Sequence, residues 1–101
     1  MDLREITFKD YSRLIPFWKK NYFVSEMDNA ARFKLFLEKN PNLSFLIENK
    51  GQIIGAVLGS FDGRRGYIQK VVTSKELRGK GIGKQLVDEV LKKLHKLGAL
   101  Y

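Results

Sequence analysis

The sequence predicts an α/β (α+β) fold: a mixed, mostly antiparallel sheet flanked by helices, in the order β-α-α-β-β-β-α. Three observations predict it. Apolar residues recur at helical spacing in three places, around Leu14 to Trp18, Ala31 to Leu37 and Ile82 to Leu97. Between the second and third of these, apolar runs are separated by Asn49-Lys50-Gly51 and Asp62-Gly63, which are hairpin and turn sequences. At 101 residues the chain is long enough for one modest core and no more, so we read 1–101 as a single domain.

Leu3, Ile6 and Phe8 predict a short first strand. Asp10 is placed to cap a helix over 11–20, which buries Leu14, Ile15, Phe17 and Trp18 and is weakened or kinked by Pro16. The stretch 22–27 reads as a loop. Asp28 opens a second helix with Ala31, Phe33, Leu35, Phe36 and Leu37 on its apolar face, closed by Asn40-Pro41-Asn42. Strands follow over 44–48, 53–58 and 67–73, the second apolar on both faces as a central strand is. The span 59–66 reads as a turn-rich connection. In the last helix, about 81–97, Ile82, Leu86, Val90, Leu94 and Leu97 form one stripe, and Asp88–Lys92 and Glu89–Lys93 are i,i+4 pairs. Gly98 is a C-cap, and residues 99–101 begin an extended segment.

Composition narrows the chemistry. There is no cysteine, which excludes a disulfide framework and thiolate zinc sites and fits a cytoplasmic protein. A single histidine, His95, excludes a histidine metal cluster or a Ser-His-Asp triad, so no metal is expected. No apolar run approaches the length of a membrane span, so no membrane partner is expected. The net charge of +8 implies attraction to something anionic, while solubility accounts for most of the nineteen cations. Nucleic acid is one class, but no interleaving of aromatic and basic residues supports it, and a basic nucleic-acid-binding module ranks behind other readings.

The informative segment is Glu76 to Leu86, ELRGKGIGKQL. It places three glycines and three cations between a strand and a helix. Helix N-termini present unpaired N–H groups and the positive end of the dipole, and glycines let an anion approach them. Arg78, Lys80 and Lys84 add positive charge. The nucleotide-triphosphate loop is excluded: Gly79 to Gly83-Lys84 is one residue short, and Gln85 stands where a hydroxyl is required. The dinucleotide fingerprint fails because Lys84 stands where its third glycine belongs.

Arg78-Gly79-Lys80-Gly81-Ile82-Gly83 resembles the Arg/Gln-x-x-Gly-x-Gly/Ala signature of the GNAT superfamily of acetyl-CoA-dependent N-acetyltransferases. The order of elements is similar to the N-terminal part of that domain. The resemblance implies acetyl-CoA as acyl donor and an unidentified amine as acceptor. It implies that Arg78, Gly79, Lys80, Gly81, Ile82, Gly83 and Lys84 hold the pyrophosphate through their amides, and that Val71, Val72 and Thr73 meet the pantetheine arm beside a bulge. Acceptors of the family enter near 21–28. Many members carry a carboxylate base on the signature strand, where this chain has Tyr67, Gln69 and Lys70; Glu26, Asp28 and Asp62 are the other acidic candidates, and the catalytic residues stay unassigned. The family domain continues into a fifth strand and further elements, so the chain is expected to be incomplete at its C-terminus. From this follow an alternative reading, a catalytically incomplete CoA-binding or protein-interaction fragment, and an expected homodimer through an open sheet edge exposing Ile68, Val71 and Val72, with Leu91, Leu97 or Leu100 on the helix beside it.

Overall fold

The computed structural model describes residues 1–99. Four strands, β1 (Asp2–Glu5), β2 (Phe45–Asn49), β3 (Gln52–Phe61) and β4 (Gly66–Thr73), form one antiparallel sheet in the order β1-β2-β3-β4. Helices α1 (Tyr11–Asn21) and α2 (Ala30–Lys39) cover one face, and α3 (Ile82–Lys96) covers the other.

The two faces follow from the alternation along β2 and β3. Leu46, Ala56, Leu58 and Val72 pack with Leu14, Phe17, Trp18 and Phe33 under α1 and α2. Phe45, Ile47 and Val57 pack with Ile82, Leu86, Val90 and Leu94 under α3. Ile54 joins the α3 face because the register shifts there, from Glu48 opposite Ile53 to Ile47 opposite Gly55. One extra residue reverses the alternation, which a strand with both faces buried otherwise forbids. α3 lies close to the sheet because glycines meet it: a Cβ on Gly55 would stand 2.7 Å from Ile82 Cγ2, and one on Gly66 would stand 2.5 Å from Leu94 Cδ1.

Several expectations are corrected. Phe8 lies in a 3₁₀ turn (Phe8–Asp10) after β1, stacked 5.8 Å from Tyr11. Asp10 stands at the N-cap of α1 as expected but makes no side-chain capping bond to it; its carboxylate instead accepts from Thr7 N–H (2.8 Å) in the preceding turn and takes a two-pronged bond from Arg4. A second 3₁₀ turn (Glu26–Asp28) precedes α2, whose cap is Asn29, its Oδ1 accepting from Arg32 N–H at 2.9 Å. β3 continues to Phe61, because residues 59–61 keep pairing with 66–68 and only Asp62–Arg65 turns. Val72 is buried rather than exposed, since it pairs with Ala56 on the α1–α2 face; Ile68 and Val71 are exposed as expected. Leu97 is exposed, lying just past the buried stripe. Asp88 pairs with Lys84 at 2.7 Å rather than with Lys92, while Glu89 pairs with Lys93 as spaced. Gly98, with φ +79°, closes α3, its N–H bonding His95 O. The expectations for Leu100 and Tyr101 lie outside the described residues. No helix among the described residues is long and apolar enough to cross a membrane.

Candidate functional site

β4, which carries the candidate site, is bulged. Ala56 pairs with Val72 and Leu58 with Gln69, so Lys70 and Val71 together oppose Val57. The extra residue sits at Lys70, whose φ of +44° is unusual for a side chain with a Cβ. The bulge turns Lys70 inward toward the α1–α2 face and puts Val71 and Thr73 on the other side.

The glycine loop meets β4 at that point. A Cβ on Gly83 would touch Thr73 Cγ2 at 3.6 Å and Val71 Cγ1 at 3.9 Å. Gly79 and Gly81 have φ of +84° and +82°, and a Cβ on either would meet nothing within 4 Å. Close packing therefore does not require glycine at these two positions; backbone conformation does, and it leaves open space over the amides. Gly81 is the N-cap of α3, and the first helical bond is Gln85 N–H to Gly81 O at 3.0 Å. The N–H groups of Ile82, Gly83 and Lys84 have no carbonyl one turn back. The structure thus brings Val71, Thr73, Gly79, Gly81, Ile82, Gly83 and Lys84 to one place. Val72 contributes backbone only, its side chain being buried.

The Arg78 side chain reaches back to α1. Its guanidinium donates to Asn21 O at 2.8 Å, at the C-terminus of α1. Asn21 is buried and holds the loop a second time, its Oδ1 accepting from Lys75 N–H at 2.9 Å while its Nδ2 donates to Phe17 O. Lys84 is drawn along α3 to Asp88, whose hydrogen bond and charge hold its ammonium pKa above the ordinary lysine value. Lys80 is exposed.

On the other side of the bulge lies a cleft of about 390 Å³ between the α1–α2 loop and β4. Tyr22, Phe23, Met27, Phe33, Phe36 and Leu58 give it apolar walls, and Ser25, Asp28, Arg32, Gln69 and Lys70 are its polar ones. Lys70 ties the two sides: its Nζ donates to Asp28 Oδ2 and to Phe23 O, both at 2.9 Å, and lies 4.6 Å from the Trp18 ring centre. Asp28 Oδ2 also accepts from Ser25 N–H. Of the other acidic candidates, Asp62 is a turn residue, its Oδ1 accepting from Arg64 and Arg65 N–H; these bonds hold its carboxyl below the usual range. Glu26 is exposed, as is His95 on α3. Asn21, Lys70 and Asp28 were missed as architectural residues, because their partners lie 42 to 57 residues away and no local pattern announces such a contact.

The family model described as "Acetyltransferase (GNAT) family" matches residues 2–101. The chain belongs to the GNAT family of acetyltransferases. Among curated relatives, an acetyltransferase of Photorhabdus laumondii is 27% identical over 95 residues, covering 93% of this chain and 66% of the relative. One of Pectobacterium atrosepticum is 29% identical over 99 residues, covering 93% of this chain and 67% of the relative. The chain therefore spans about two thirds of the relatives' length. Among solved structures, the PaiA N-acetyltransferase of Thermoplasma acidophilum in complex with coenzyme A superposes with a TM-score of 0.82 at 16% identity, covering 96% of this chain and 73% of that one. An aminoglycoside 6'-N-acetyltransferase of Acinetobacter haemolyticus gives 0.80 at 14%, covering 98% and 74%. At these identities the structures establish that the GNAT fold is shared.

Proposed function

We propose that this chain binds acetyl-CoA at the junction of β4 and α3 and transfers the acetyl group to an amine. The observation that carries the reading is the glycine loop: two left-handed glycines with open space above them, leading into a helix whose first amides lack partners, beside a bulged strand. The site residues fit the donor. The amides from Arg78 through Lys84 would hold the pyrophosphate, with Lys80 and Lys84 nearby in charge. The backbone of Val71, Val72 and Thr73 would meet the amides of the pantetheine arm. That a CoA complex exists for a similar fold supports this placement. The lack of cysteine supports a cytoplasmic setting.

The chemistry then asks little of side chains. The neutral amine adds to the thioester carbonyl, the C–S bond breaks, CoA leaves as thiolate, and the amine's proton passes to solvent. Positioning and backbone N–H groups facing the developing oxyanion supply the acceleration. Asp28 Oδ2 is committed to Lys70 and Ser25, so water is the proton acceptor in this reading.

Competition between cofactor pieces tests it. Dephospho-CoA, which keeps the pyrophosphate, should bind far more tightly than pantetheine, which lacks it. Equal affinities would place the anchor elsewhere and remove the reading.

A further inference from the structure

The cleft opposite the loop has a composition that selects its occupant. We infer that its ligand is a small amine carrying an apolar side group and a carboxylate, and that Arg32 is the residue that reads the carboxylate. This rests on the transferase reading for the position of the acceptor.

The first observation is the exposed apolar surface. Tyr22, Phe23 and Met27 are 57%, 51% and 72% exposed and lie together on the rim, with Tyr22 and Phe23 ring centres 4.2 Å apart. Large apolar side chains grouped at a concave mouth mark a binding surface. Behind them Phe33, Phe36 and Leu58 continue the apolar wall. A volume of about 390 Å³ has room for a single aromatic or branched aliphatic group.

The second observation is charge. The lining holds one carboxylate, Asp28, and two cations, Arg32 and Lys70, so it is positive by one. Asp28 is already answered by Lys70. Arg32 is not answered: its backbone N–H is used by the Asn29 cap, but among the described residues its guanidinium makes no hydrogen bond or ion pair. Lys70 Nζ spends two of its three donors on Phe23 O and Asp28, leaving one.

The third observation is that Arg32 stands in the first turn of α2, which contains no acidic residue. A cation there opposes the helix dipole, so the position is not explained by helix stability. A guanidinium matched to a carboxylate gains a bidentate bond that an amide cannot give. Polyamines and polycationic sugars meet repulsion from the same group.

The test uses product-like probes, so it does not depend on turnover. The full chain is saturated with CoA, and N-acetylphenylalanine, N-acetylphenylalaninamide, N-acetylglycine and spermidine are titrated into it calorimetrically. N-acetylphenylalanine should bind at least about tenfold more tightly than its amide and than N-acetylglycine, as one charge-assisted pair and one buried ring require. Arg32→Glu should erase the preference over the amide and leave CoA affinity unchanged. This variant places an acid where the helix favours one, so it should fold. Equal binding of acid and amide, preference for spermidine, or no probe binding with CoA bound would overturn this inference alone. Failure of CoA itself to bind would overturn the transferase reading, and this inference with it.

Discussion

Lys70 Nζ lies 2.9 Å from Asp28 Oδ2, with both side chains at most 10% exposed. The pair joins the bulge of β4 to the loop before α2, so one contact sets the width of the candidate acceptor cleft. Removing one partner leaves a desolvated charge alone. Lys70→Met should destabilise the chain by about 3–5 kcal/mol. At about 4–8 °C per kcal/mol for a domain of this size, calorimetry would show a fall in Tm of well over 10 °C. The double variant Lys70→Met/Asp28→Leu should recover much of that loss, because neither charge remains buried. Equal instability of the single and double variants would contradict the pairing.

Glycines in the sheet and glycines in the loop should behave oppositely. A Cβ on Gly59 would stand 2.4 Å from Leu43 O, a backbone atom that cannot move aside. Gly59→Ala should therefore cost about 3 kcal/mol or more. Gly79→Ala meets no atom within 4 Å and carries only the left-handed strain, roughly 1–2 kcal/mol. Urea denaturation of both variants checks the order, and a reversed order would refute the close approach of Leu43 O to β3 at Gly59.

Acid should weaken the fold partly through Asp10. Burial raises its carboxyl, but the Arg4 bonds and the Thr7 N–H outweigh burial and hold the pKa below the ordinary value. A depressed carboxylate contributes stability above its unfolded pKa, near 4, and loses it as pH falls through the lower folded value. Thermal melts from pH 6 to pH 2 should show a shallower decline in Asp10→Asn than in the parent. Parallel curves would show that Asp10 carries no such linkage.

Much of this architecture was legible in the sequence for a physical reason. The α3 stripe of Ile82, Leu86, Val90 and Leu94 is a 3.6-residue repeat, and all four are buried. Lys50 and Gly51, the expected hairpin, have φ of +53° and +78°. What could not be read were contacts made by topology. Asn21 holding Lys75 and Arg78, and Lys70 reaching Asp28, join segments far apart in sequence. Val72 was misplaced because the bulge at Lys70, two residues earlier, changes which face it occupies. The glycine loop was legible as a candidate site because its residues are contiguous, whereas the cleft beside it is assembled from four elements.

The bulge also divides the outer edge of β4, which is the last strand of the sheet among the described residues. Ile68 and Val71 are 36% and 40% exposed there. A second copy pairing along 66–69 would cover this edge without touching the segment assigned to pantetheine. Light scattering at high micromolar concentration should give a dimer mass. A monomer would remove the second copy as the occupant of this edge.

The most direct measurement of the central claim is calorimetric titration of acetyl-CoA into the parent chain and into Gly81→Val. Valine at Gly81 is strained by the φ of +82° but meets no atom within 4 Å, so the chain should stay folded by circular dichroism with a lowered Tm, yet Kd should rise by at least about a hundredfold, because the strained loop and the branched side chain close the path to the α3 amides. A folded Gly81→Val chain that binds acetyl-CoA as tightly as the parent would contradict the assignment of the loop as the pyrophosphate site.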